Sequence, residues 1–453
     1  MSPLRNAASL GVFAFSLLAC ATSAHPNATV APVASCVIGA APRNGGDTLS
    51  VAVLAPVDWA HVPEPTNAAE RLAFAQTYET LIDVDCDGRA RPALAASWTL
   101  DLTRTRITVS LRKGARFWSG KPVTAGDVLA AWRETGARSM SSARLAREIA
   151  GGTTIVDDHT LIVSLPDTAW LVLADRTLAI YEPQSIAGWP EGSGPYRIAE
   201  RSADLPPGGF MLTPVAPAFD PYLVSRRVPS GDPRDAIDAG SDVLVTDDPV
   251  AVSYAIARAN LVAVPLPWTR SYALAVPREA PALLQPDSDS AALRVSLARD
   301  AVHVEARAAQ PPYWWDACSA SPDSLPATPT ADGRSNRVVF RRDDSVARAL
   351  AERLVALDPR SVAAGLSADD FARALRDGGD LAYVLDLPRV SLSPCVNVGD
   401  LRAAAPWLVS GGADARLLPL IDTRESAIVR RDRVSATVDW RGTLHFSHAS
   451  SRP

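Results

Sequence analysis

Residues Tyr78–Val128 read YETLIDVDCDGRARPALAASWTLDLTRTRITVSLRKGARFWSGKPVTAGDV, and the order of pieces in this stretch decides the fold. An acidic turn closing on Gly88 leads to Pro92 and a short segment, Ala93 to Trp98, that reads as helical. An alternating strand follows from Arg106 to Leu111, with Ile107, Val109 and Leu111 on one face. Next come the basic turn Arg112-Lys113-Gly114, the aromatic pair Phe117-Trp118 and the turn Gly120-Lys121-Pro122. Thr124 then stands where a helix N-cap belongs, with Asp127 three residues on to return the hydrogen bond. Val128, Leu129 and Trp132 begin that helix's buried stripe.

At 453 residues the chain is too long for one small core and suits two lobes, or roughly three domains by length alone. Apolar residues at 47% and charged residues at 21% are ordinary for a globular protein, which excludes wholesale disorder. A net charge of −5 and a pI near 5.8 give no footprint for nucleic acid. Lys113 and Lys121 are the only lysines, a bias that fits a GC-rich genome better than phosphate recognition.

The N-terminus reads MSPLRNAASLGVFAFSLLAC. Arg5 supplies a positive start and Ala7–Leu18 an apolar core of signal-peptide length, short of the roughly 20 residues that span a bilayer. Leu17-Leu18-Ala19-Cys20 resembles a lipobox, in which Cys20 becomes the lipidated first residue; the alternative is ordinary cleavage after Ala21 or Ala24. Both readings export the protein.

The order of pieces in Tyr78–Val128 resembles the signature of the family 5 extracellular solute-binding proteins, the dipeptide-, oligopeptide- and nickel-binding components of ABC importers. Gly192–Tyr196 (GSGPY) resembles the family's Gly-x-Gly-Pro-Tyr segment, and Asp238–Val243 (DAGSDV) the element that closes a helix and opens a strand. Ser271–Val276 is similar to the strand that crosses into the second lobe, Ala368–Asp386 to its helix-and-strand region, and Leu418–Asp432 to the final return strands. The likeness is dense before residue 200 and thin after 280. Val276 replaces the family's Asn, and Leu387-Pro388-Arg389 replaces an aspartate-rich turn.

The resemblance implies an α/β, two-lobed periplasmic-binding-protein fold of type II, with a small extra subdomain in lobe one and two strand crossovers. The expected divisions are signal peptide 1–20, tether 21–46, lobe one 47–80, inserted subdomain 81–190, lobe one again 191–276, a shortened lobe two 277–415, and a return to lobe one over 416–453. Crossovers fall near Ser271–Val276 and Arg416–Pro419. The implied function is capture of a peptide-like solute between the lobes and its delivery to ABC permease subunits, by an exported, lipid-anchored periplasmic monomer without a cofactor. The alternative is a degenerate relative kept as an envelope sensing or interaction lipoprotein with no transported ligand.

Beyond Cys20, four cysteines in an oxidising compartment point to two disulfides with three possible connectivities. Pairing within lobes favours Cys36–Cys86 and Cys318–Cys395. Asp386 ends the apolar strand Leu381–Leu385 where a side chain can face the cleft. In peptide-binding relatives an aspartate at the matching position pairs with the ligand's ammonium; the plainer reading has Asp386 cap the Leu387-Pro388 turn. Tyr313-Trp314-Trp315 is the densest aromatic patch, read either as cleft lining or as a plug for the lobe-two core. Trp268 and Tyr272 precede the crossover and are placed either at the hinge or in buried packing.

Other motifs carry less. Asp83-x-Asp85-x-Asp87-Gly88 mimics the start of a calcium loop, but its twelfth position is Leu94 rather than Glu. The histidines form no close pair, and His445 and His448 read as surface residues. Ser193 lacks the first glycine of a nucleophile elbow, and Cys318 has no neighbouring His, so no enzyme is expected.

Overall fold

The strand Thr48–Val53 (TLSVAV) sits at the centre of a seven-stranded sheet and is apolar on both faces. Leu49, Val51 and Val53 enter one core and Ala52 another, which is what a strand covered on both sides requires. It is flanked in parallel by Tyr222–Arg227 and Val243–Thr246. Met211–Pro214 and Tyr196–Ile198 extend one edge, and Ser426–Arg430 and Leu261–Pro265 the other, all by antiparallel pairing. The computed structural model that shows this describes residues 36–39, 47–138, 143–165, 170–186, 189–199, 209–215, 220–277, 313–314, 335–356, 361–377, 379–389, 401–402, 404 and 415–446.

The deciding stretch builds a compact unit beside this sheet. Arg106–Leu111 is a strand with Ile107, Val109 and Leu111 buried, paired with Thr160–Ser164, which in turn forms a hairpin with Thr153–Asp157. The helix Ala125–Ala137 starts at Thr124 with a complete capping box: Thr124 Oγ1 accepts from the Asp127 amide, and the Asp127 carboxylate accepts from the Thr124 amide. Trp132 is fully buried and its Nε1 donates to the Leu178 carbonyl at 2.8 Å.

One local expectation is corrected. Ala93–Trp98 is not helical; Ala95–Leu100 is a strand paired with Arg106–Leu111, with a bulge between Ala95 and Ser97. So short a segment cannot nucleate a helix alone, and the open edge of the neighbouring strand offers it hydrogen bonds instead. The acidic Asp85–Gly88 stretch is the expected turn. Asp85 Oδ1 accepts from the amides of Asp87 and Arg89, and Arg91 forms an ion pair with its Oδ2 at 2.6 Å.

GSGPY is explained by close approach. A Cβ at Gly192 would overlap the Thr77 carbonyl oxygen, and one at Gly194 would come within 2.6 Å of it. The turn thereby packs against the C-terminal end of the helix Ala68–Thr77. DAGSDV closes the helix Pro233–Asp238 and opens the strand Val243–Thr246, with Gly240 at a φ of +75°.

Two further expectations differ. Within the tether expected over 21–46, Val37–Ile38 is instead a short strand paired with Thr437 and Ala436; beside it the expected Cys36–Cys86 disulfide is formed. His445 is buried, not a surface residue: its Nε2 lies 3.2 Å from Asp439, with Arg176 3.6 Å from the same carboxylate. The chain's return to lobe one encloses it.

Lobe two is a six-stranded sheet ordered Tyr313–Trp314, Ala415–Thr423, Arg270–Pro277, Asp380–Pro388, Ser335–Arg341 and Val362–Leu366. Cores lie on both of its faces. The helix Ser345–Val355, N-capped by Asp344, covers one, and the helix Ala368–Asp377 contributes Phe371 and Leu375 to the other. The expected crossover strands, near Ser271–Val276 and Arg416–Pro419, both lie inside this sheet, side by side and antiparallel. The chain changes sheets just outside them, at 266–269 and 424–425. These two connections are themselves joined: the Leu266 amide donates to the Glu425 carbonyl and the Thr269 amide to the Thr423 carbonyl. The lobes therefore meet at one double-stranded hinge.

Candidate functional site

A cavity of about 520 Å³ opens beside this hinge and takes its walls from both lobes. Lobe one supplies Thr246, Asp247 and Asp248, where the strand Val243–Thr246 runs into the helix Pro249–Ile256. Lobe two supplies Tyr272 and the first turns of the helix Ser345–Val355, and the hinge itself supplies Arg424. Pockets of this size, roughly 300–1,000 Å³, enclose small molecules, and they favour boundaries between domains.

The strand register brings the polar groups of lobe two together. Tyr272 stands opposite Asp386, and Arg270 opposite Pro388, so Arg270 and Asp386 are diagonal neighbours on one face. Arg270 grips Asp386 with two hydrogen bonds, Nε to Oδ1 at 2.6 Å and Nη2 to Oδ2. The Tyr272 hydroxyl donates to Asp344 at 3.1 Å. Burial opposes the Arg270 charge, yet Asp386 holds its pKa above the ordinary arginine value. Burial, then the charges of Asp386 and Asp344, push the Tyr272 phenol far above its usual range.

Two charges on the cavity wall lack such partners among the described residues. Burial pushes the Asp247 carboxyl above its usual pKa, and neighbouring Glu425, Asp248 and Asp344 push in the same direction. Burial alone pushes the Arg424 guanidinium down to about 10. Arg424 lies over the Trp268 ring at 4.3 Å, and its buried Nε has no hydrogen-bond partner among the described residues. Its neighbour Glu425 is taken by Arg71, with both carboxylate oxygens at 2.8 Å.

The residues singled out in the sequence are thus only partly united. Tyr272 lines the cavity. Asp386 lies one strand away and is engaged by Arg270, so it is neither a free carboxylate nor a plain turn cap. Tyr313 and Trp314 form a short edge strand paired with Thr423 and Asp422. Trp315, Cys20 and the Cys318–Cys395 pair lie outside the described residues. Asp247 and Arg424 escaped the sequence reading. The signal for Asp247 was a strand running into Asp-Asp-Pro, a helix start; Arg424 had none, because only the fold leaves it unpaired.

The two-lobed architecture with a cavity at its hinge is that of the periplasmic binding proteins. NikA of Brucella suis, solved in complex with Fe(III)-EDTA, superposes with a TM-score of 0.60 at 14% identity over 88% of this chain and 98% of that one. A dipeptide-binding protein of Pseudoalteromonas sp. SM9913, solved with Met-Leu, gives 0.58 at 14% over 88% and 98%. OppA of Haemophilus influenzae, solved with the peptide RPPGFSPFR, gives 0.57 at 14% over 89% and 100%. In sequence, residues 89–204 match the profile of "Bacterial extracellular solute-binding proteins, family 5 Middle". A Sinorhizobium fredii protein named "Probable peptide ABC transporter periplasmic-binding protein y4tO" is 26% identical over 185 residues, 37% of this chain and 32% of that protein. "Protein XP55" of Streptomyces lividans is 28% identical over 209 residues, 43% and 35% of the two chains. The matched segments span about a third of these curated relatives. The family resemblance is borne out over residues 89–204, which match the family 5 solute-binding profile, and the two-lobed fold by the superpositions.

Proposed function

We propose that this protein is the substrate-binding component of an ABC importer, which captures a small peptide-like solute between its lobes and delivers it to membrane permease subunits. The observation that carries this reading is the cavity at the hinge, walled by both lobes. A solute held there touches both walls only when the lobes approach, so binding favours the closed form by its differential contacts. No reaction is needed for that task. The wall offers a mixture suited to peptides: the apolar Ile421 and Leu350, the phenol of Tyr272, the carboxylates of Asp247 and Asp248 and the guanidinium of Arg424.

The protein is exported and acts as a monomer, tethered by lipid on Cys20. No described helix is long and apolar enough to cross a membrane. Cys20→Ser then moves the protein into the soluble fraction, and unchanged fractionation refutes the anchor. The test of solute capture is native mass spectrometry of protein purified from its own envelope, paired with small-angle scattering. A co-purified small solute whose removal expands the molecule supports the reading. An empty cavity that no peptide mixture fills or closes refutes it and favours an envelope sensing role.

A further inference from the structure

A buried guanidinium without a counter-ion is costly, and chains normally pair such groups. Arg424, half-buried in the hinge itself, departs from that rule: it makes no ion pair among the described residues. Its position on the second connection, over Trp268 of the first, fixes it at the seam about which the lobes would close. It lines the cavity, and its Nε is buried with no hydrogen-bond partner among the described residues. The arginines around it are satisfied: Arg270 by Asp386, Arg71 by Glu425, and Arg389 by Asp422 at 3.1 Å.

We propose that Arg424 receives a carboxylate of the bound solute, and that the solute is a zwitterion whose cationic group faces Asp247 on the opposite lobe. This rests on the solute-capture reading and names its chemistry. A guanidinium presents paired N–H donors that match a carboxylate in the plane, and a site excluded from water strengthens the pairing. A purely anionic solute would meet Asp247 and Asp248 across the cavity, and a purely cationic one would leave Arg424 uncompensated. Asp386 is held by Arg270, so the ammonium partner falls to the lobe-one wall. Each end of the solute then engages a different element, the hinge and lobe one, and Arg424 rewards the arrangement in which both are in reach.

The assay is retention of defined tripeptide mixtures by the full exported chain, read by mass spectrometry, with free-acid and C-terminally amidated versions offered in parallel. Single amino acids form a third arm, which separates a peptide terminus from a smaller carboxylate source. Wild type should retain acids over amides. Arg424→Gln should lose acid retention by about 30-fold or more, the usual range for stripping one partner from a desolvated charge pair, and lose the preference with it. Its melting temperature without solute should fall by no more than the loss of the Trp268 stacking allows, because no hydrogen-bond or ion-pair partner among the described residues is abandoned. Wild type retaining acids and amides alike overturns the carboxylate assignment and leaves solute capture standing. Retention of neither overturns both. An Arg424→Gln chain that keeps the acid preference, or that melts well below wild type, overturns the role of Arg424.

Discussion

Removing Asp386 should damage lobe two before it damages binding, because its charge already has a partner. The Arg270–Asp386 contact is bidentate, with side chains 41% and 22% exposed, so it lies between a surface pair and a buried one. Surface pairs measure roughly 0–1 kcal/mol, while breaking a fully buried pair costs about 3–5 kcal/mol. Two charge-assisted hydrogen bonds in partial solvent give an expected coupling of about 1–2 kcal/mol. Asp386→Ala, Arg270→Ala and the double variant form the cycle, with urea denaturation followed by tryptophan fluorescence as the assay. The double variant should be less destabilised than the sum of the singles by that amount. Asp386→Ala should also bring the Asp344 carboxyl pKa, raised chiefly by burial and further by Asp386, closer to its ordinary value. Additivity within about 0.3 kcal/mol would refute the internal pair and return Asp386 to the role of free ligand anchor.

Two other outcomes test the local readings. Asp247 has a folded-state pKa raised above its ordinary 3.8, so its contribution to stability is full below that value and is lost as pH rises through the folded pKa. Asp247→Asn should therefore raise the melting temperature at pH 7 without solute, and the gain should vanish as pH falls below about 4; a variant equally or less stable at pH 7 contradicts the uncompensated charge. Gly194→Ala presses a methyl against the backbone of Thr77, where no flexible side chain can yield. A loss of roughly 1–3 kcal/mol in chemical denaturation is expected, and a neutral variant would show that the turn can move away from the helix end.

Much of the architecture was legible locally, for reasons that reside within a few residues. Thr124 and Asp127 specify a helix start because a side chain and an amide three residues apart satisfy each other without help from elsewhere. Ile107, Val109 and Leu111 specify a half-buried strand by alternation alone. Gly192–Tyr196 was legible as a family likeness, while the close approach of Gly192 and Gly194 to the Thr77 backbone came only with the structure. The failures were equally physical. Ala95–Leu100 became a strand because a partner edge was waiting, and His445 was enclosed by an aspartate and an arginine from other elements. By itself the sequence determined the signal-like N-terminus, the strand and helix starts and the two-lobed class. Tertiary structure alone decided the charges of the cleft. Arg270 meets Asp386 across 116 residues through strand register, Arg71 takes Glu425 across 354, and Arg424 is left over Trp268 with an unpaired Nε. Which charges are spent inside the fold and which remain for a solute depends on distances between segments that no local pattern encodes.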